Sequence, residues 1–154
     1  MKNFFALFLL FFSLLKSQNA IKIPEVVKWK TSYLSINDNS GKILISAAIQ
    51  PEWHIYSIEP NAEGPVPTTI TFEPSANYDL KGQINEPQGE KKMDEAFGIE
   101  IKSFSKEAAF SQILQRKTND AFSINGTIEF MSCNNVQCNP PRTIAFTVEI
   151  PKIP

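Results

Sequence analysis

Cysteine and histidine are nearly absent from this 154-residue chain. There are two cysteines, Cys133 and Cys138, and one histidine, His54. A closed tetrahedral zinc site takes four Cys/His ligands, so three such residues exclude one. Clusters of Lys or Arg are also missing. The 15 basic residues are dispersed among 16 acidic ones, for a formal net charge of −1, which argues against nucleic acid as a partner. Beyond the first fifteen residues there is no long apolar run, so no second segment reads as membrane-spanning. No helical period of useful length, internal repeat or low-complexity tail is found there either.

What is present begins with a leader. Lys2 precedes the apolar run FFALFLLFFSLL (Phe4 to Leu15), and the small, polar stretch KSQNA follows. Charge, apolar run and small residues in that order are the pattern of a secretory signal peptide. The run is shorter than the roughly 20 residues a transmembrane helix needs. Residues 1–20 are therefore expected to be a signal peptide, cut after Ser17 or after Ala20, the rival being an uncleaved anchor. No cysteine lies near the cut to carry a lipid. Loss of Lys2 and Lys16 takes the formal charge from −1 to −3. Residues 21–154 are long enough for one domain with a real core. Export also bears on the sulfurs: outside the cytoplasm a close pair is expected to be oxidised, and two cysteines allow one intramolecular bridge.

The exported part reads as strands. VVKWKTSYLSI (Val26 to Ile36) and KILISAAI (Lys42 to Ile49) alternate and are β-branched, with the turn cluster NDNSG between them. WHIYSI (Trp53 to Ile58) and TTITFE (Thr68 to Glu73) follow, separated by EPNAEGPVP. Pro74 to Glu95 is a polar, Gly/Pro-bearing stretch to which no strand is assigned. GIEIKSF (Gly98 to Phe104), AAFSQIL (Ala108 to Leu114), FSINGTIEFMSC (Phe122 to Cys133) and RTIAFTVEI (Arg142 to Ile150) complete the set. Short strands spaced by turn signals, with eleven prolines mostly between them, predict an all-β antiparallel sandwich or barrel. Trp29, Trp53 and most phenylalanines are expected in its packing. Asn125-Gly126-Thr127 has the form of a glycosylation acceptor, and inside a strand it reads as coincidence.

Three readings of MSCNNVQCNPP (Met131 to Pro141) compete. As a staple, a bridge closing about six residues removes roughly 2 kcal/mol of unfolded-state entropy, against nearly 5 for a 100-residue loop. As a metal clip, the pair could hold Cu(I) with Met131, Met93 or His54 as further ligands. As a redox pair, it needs an accessible sulfur, a reachable partner and control of the thiolate. Four residues between the cysteines permit all three.

Four stretches narrow the choice. PEWHIYS (Pro51 to Ser57), GPVPTTITF (Gly64 to Phe72), MDEAFG (Met93 to Gly98) and FMSCNNVQCNPPRT (Phe130 to Thr143) occur in this order. Together they resemble the N-terminal periplasmic domain of the thiol:disulfide interchange protein DsbD, in its stand-alone Bacteroidetes-type form. The resemblance covers most of the exported chain, and Cys-x4-Cys followed by Pro-Pro is its most specific part. It implies an immunoglobulin-like β-sandwich in the periplasm. It also implies that Cys133 and Cys138 form a redox-active pair needing no other cofactor. A membrane thiol-electron carrier would be the donor, and exported thioredoxin-like proteins the acceptors. By position in the motif, the mixed disulfide falls on Cys138.

The resemblance also implies a cap loop over the sulfurs. Its tip reads Asp-Glu-Phe-Tyr-Gly in the best-known member and Asp94-Glu95-Ala96-Phe97-Gly98 here. The shielding phenylalanine falls on Ala96, so shielding passes to Phe97 only if the loop turns differently. Asp94 and Glu95 match acidic residues near the family's cysteines, where a carboxylate would disfavour a thiolate or shuttle a proton. His54 and Tyr56 match an aromatic pair beside them. The best-known member has five residues between its cysteines. Its full protein continues into a membrane segment and a thioredoxin-like domain, so for this chain the donor is expected in trans. The alternatives are an interaction or Cu(I)-binding sandwich and a purely structural bridge.

Overall fold

The structure is a computed structural model that describes residues 23–153. The expected signal peptide lies outside the described residues. Among those described there are eleven strands and no helix, all strand pairs being antiparallel.

β1 (Val27–Asn37) and β2 (Ser40–Ile49) form a hairpin, which continues through β8 (Glu107–Arg116) to β5 (Tyr78–Asn85) in the order β1-β2-β8-β5. β4 (Thr69–Phe72), β9 (Phe122–Phe130) and β11 (Arg142–Ile150) make a second sheet, β11-β9-β4. The third, β10-β3-β7-β6, joins β3 (His54–Tyr56), β6 (Glu90–Asp94), β7 (Ile99–Ser105) and the two-residue β10 (Ser132–Cys133).

Alternation decides which face each strand buries. Ile43, Ile45 and Ala47 of β2 point inward with Ala108, Phe110 and Leu114 of β8. Ile124, Ile128 and Phe130 of β9 meet them with Val148 and Ile150 of β11. Phe110 sits at the centre, its ring 5.6 Å from Phe104 edge to face and 6.0 Å from Trp29. Trp29 and Trp53 both pack against this core, as expected. Arg116 is buried on the inward face of β8 because its guanidinium donates to the carbonyls of Thr118, Asp120 and Pro151. It also stacks 5.3 Å from the Phe122 ring.

Two expectations are corrected. Pro74 to Glu95, to which no strand was assigned, holds β5 and β6. Both run along sheet edges with mostly exposed side chains, so they need no hydrophobic alternation. Gly82, at φ 69°, lies in a register shift between Lys81 and Asn85 and blurs the pattern further. Phe122 to Cys133 is not one strand either. β9 ends at Phe130, and after Met131 the chain changes sheets to pair with β3.

The polar stretch does more than connect. Just after β5, the Glu86 carboxylate accepts from Ser57 Oγ, from the Ile58 N–H and from Lys102 Nζ. Burial alone would raise its pKa, but these donors hold it below the usual carboxylate range. Three residues on, Gly89 lies so close to β7 that a Cβ there would stand 2.7 Å from the Phe104 ring and 3.0 Å from Ser103 O. From there β6 runs along β7 to Asp94, which stands opposite Ile99 and whose carboxylate reaches the Tyr56 hydroxyl.

Gly126 has a comparable role in β9. With no side chain of its own, it lets Phe72 of β4 and Phe146 of β11 meet edge to face, 5.6 Å apart. A Cβ at 126 would lie 2.3 Å from the carbonyl oxygen of Thr71 and 2.4 Å from the Phe146 ring. Gly126→Ala is therefore expected to lower stability by about 1–3 kcal/mol, as overpacking does. Urea unfolding checks this, and an unchanged midpoint would contradict the packing described.

Candidate functional site

Cys133 and Cys138 are joined as a disulfide, with Cα atoms 4.0 Å apart. The local sequence explains how. Asn134 Oδ1 accepts from the backbone N–H groups of Val136 and Gln137, folding Asn134-Asn135-Val136-Gln137 into an Asx-type turn. Backbone bonds flank the cysteines, from Asn134 N to Gln137 O at 2.9 Å and from Asn139 N to Ser132 O at 2.8 Å. The cysteines thus face each other across a miniature antiparallel bridge. Buried Asn139 adds a bond from Nδ2 to Ser132 Oγ. Sequence reasoning passed over Asn134 and Asn139. An asparagine directly after a cysteine and at a turn start was a readable signal, but buried Asn139 had none.

The two sulfurs differ in access. Cys133 is 1 % exposed and lies in a small cluster with Tyr56 and Ile101. Cys138 is half-buried and lines a cleft of about 620 Å³, together with His54, Lys92, Met93 and the cap-loop residues Asp94, Glu95 and Ala96. A second cleft, on the side of Trp53 and Lys106, shares His54, Lys92 and Asn134 to Val136 with the first. Val136, at the tip of the cysteine turn, is 90 % exposed.

The cap loop turns so that Phe97 packs inward toward the Cys133 cluster while Ala96 stands at the cleft. Asp94 Oδ1 accepts from the N–H of Ala96 and of Phe97, and Gly98 at φ 69° closes the turn by donating to Asp94 O. Ala96 and Glu95 stand exposed at the cleft. Phe97 packs against the cluster holding Cys133, its ring 6.2 Å from Tyr56 edge to face.

His54, Tyr56 and Asp94 are brought together. Tyr56 OH donates to Asp94 Oδ2 at 2.8 Å. His54 Nε2 lies 3.1 Å from Tyr56 OH and 3.5 Å from the same carboxylate oxygen. Burial pushes the Tyr56 pKa well up, and the adjacent Asp94 adds to it. Burial also lowers the His54 pKa from 6.5; Asp94 opposes this and Lys92 reinforces it. Met131 packs against the Cys133 cluster, whereas Met93 is 59 % exposed. Among the described residues, no three His, Cys, Asp or Glu side chains group as metal ligands.

Residues 23–150 match the family of the N-terminal domain of the thiol:disulfide interchange protein DsbD. The chain belongs to this family. Two solved structures are similar, both from Neisseria meningitidis. One is the DsbD N-terminal domain in the reduced form, at 20% identity over 80% of this chain and 84% of that one, TM-score 0.52. The other comes from the complex between the DsbD N-terminal and the PilB N-terminal domains, at 18% identity over 84% and 88%, TM-score 0.51. At these identities the likeness shows the fold, an immunoglobulin-like β-sandwich. No curated protein matches. Thiol-disulfide interchange is thus the chemistry of the DsbD N-terminal family to which this cysteine pair belongs.

The lowered His54 pKa makes a stability prediction. Between the folded value and 6.5 the unfolded chain binds more protons, so stability rises with pH there and is lost as pH falls. Relative to His54→Gln, the wild type should lose thermal stability between about pH 7.5 and about pH 5. A melting-temperature difference that stays constant, or grows in acid, would contradict it.

Proposed function

We propose that this chain is an exported electron relay of the periplasm. A membrane thiol-electron carrier, supplied as a separate polypeptide, reduces the Cys133–Cys138 disulfide. The resulting dithiol reduces oxidised thioredoxin-like proteins. What carries the reading is the unequal access of the two bonded sulfurs: Cys138 opens on a cleft while Cys133 is buried behind it. One sulfur for a partner to reach and one to close the reaction behind it is what stepwise exchange requires.

In the forward direction the Cys138 thiolate attacks one sulfur of the acceptor's disulfide. A mixed disulfide forms, and the acceptor's other sulfur leaves as a thiolate and takes a proton. Cys133 then attacks Cys138 Sγ, restoring the internal disulfide and releasing the acceptor's second thiolate. The acceptor gains two electrons and two protons, both from the domain's thiols. Phe97 shields the pair until an arriving partner displaces the cap loop, a gating motion. Asp94 and Tyr56 hold His54 in place, and Glu95 meets the partner at the rim.

The deciding measurement is the reduction potential of the pair, read by trapping thiols after equilibration in graded thiol buffers. A value of about −120 to −270 mV, the span of exchange proteins, is expected. A value below about −300 mV would mark a structural bridge and end the relay reading. In addition, Cys133→Ser should accumulate a mixed disulfide with an oxidised thioredoxin-like protein on Cys138, visible by non-reducing mass analysis. Cys138→Ser should give none, and adducts of equal yield from both variants would refute the assignment of Cys138.

A further inference from the structure

We infer that His54 is the general base that takes the proton from Cys133 when the internal disulfide closes. The inference rests on the relay reading above and assigns the step that reading leaves without an acceptor. Closure needs Cys133 as a thiolate. Burial disfavours that form, and at 1 % exposure bulk water cannot collect the proton. Cys138, open to the cleft, has no such difficulty.

The residue paired with Cys133 across β10 and β3 is His54. Directly opposite residues on antiparallel strands share a face, with Cβ atoms about 4.5–5.5 Å apart. The hydrogen bonds around the ring then fix its chemistry. The single hydroxyl proton of Tyr56 goes to Asp94 Oδ2. The Tyr56 oxygen can therefore only accept from His54, so the ring proton sits on Nε2. A neutral imidazole protonated at Nε2 keeps a lone pair at Nδ1. Among the described residues no hydrogen bond engages Nδ1. Asp94, Tyr56 and His54 thus form a chain ending in a base on the residue that stands opposite Cys133 in the ladder.

The surroundings agree. Tyr56 on the same strand, Asp94 and Lys92 from β6 and Cys133 from β10 are the titratable groups around the ring, and β7 presents uncharged Ser105 opposite it. Glu52, Glu95 and Lys106 line the same clefts as His54. Burial keeps the ring neutral and able to accept. Once Nδ1 has the proton, the Asp94 carboxylate stabilises the imidazolium through Nε2, and the proton passes on through the cleft to the acceptor's released thiolate, leaving the ring neutral again. In the reverse direction, donor attack on Cys138 expels Cys133 as a thiolate, and the imidazolium returns the proton.

The test uses the reduced protein and an aromatic disulfide whose released thiolate is coloured. Attack by Cys138 releases one thiolate, and closure by Cys133 releases the second, so the two steps are timed separately. His54→Gln should slow the second release about a hundredfold, within the usual range for a lost general base, and leave the first within about twofold. In the wild type the second release should slow as pH falls below about 6.5; this inflection should vanish in the variant. Equal effects on both releases, or no inflection in the wild type, overturn the inference; the wild-type profile decides even if the variant does not fold. A reduced protein that never gives a second release overturns the relay reading as well, which separates the two failures.

Discussion

Two residues of backbone pairing hold the site together. Ser132 lies opposite Ile55 and Cys133 opposite His54, and that is the whole of the ladder between β10 and β3. A slip of one residue would turn Cys133 to the other face and separate it from His54, Tyr56 and the cap loop. So short a pairing has little strength of its own, and its surroundings fix the register. Asn139 binds Ser132 through both backbone and side chain, and the Asn134 turn sets the distance between the cysteines. Pro140 and Pro141 offer no N–H with which the pairing could continue. The same change of sheet at Met131 moves the chain from the main core, where Phe130 is buried, to the small cluster where Cys133 is buried.

The sulfurs therefore belong to two environments while sharing one bond. One side is apolar, formed by Tyr56 and Ile101 with Phe97 packed against them. The other is a polar cleft edged by the cap loop and the cysteine turn. The asymmetry comes from the backbone: Cys133 stands in a sheet and Cys138 at the mouth of a turn.

Sequence reading works where a strand must bury one face. β2, β8, β9 and β11 carry strict alternation because they line the core, and their ranges are visible in the residues. β5 and β6 were hidden because edge strands in contact with water need no such pattern. The cysteines stand out as the only two in the chain and His54 as its only histidine, but the family resemblance was needed to set His54 and Tyr56 beside the sulfurs. Asp94 carries no such mark. About forty residues separate it from its partners, and only the family resemblance brought it near them. The Phe97 position followed from no residue pattern, since it depends on which N–H groups the Asp94 carboxylate captures. Glu86 was missed for a similar reason: its donors come from β7 and from the chain just after β3, and no local sequence signal marks such a meeting.

Asp94 uses its two oxygens for unrelated purposes. Oδ1 gathers the N–H groups that curl the cap loop, and Oδ2 receives the Tyr56 hydroxyl that sets the histidine's proton. One side chain thus shapes a loop and orients a ring. A neutral replacement at this position changes the loop's turn and the ring's polarity together, so the protein cannot adjust either without disturbing the other. Shelter and chemistry are inherited here as a single trait.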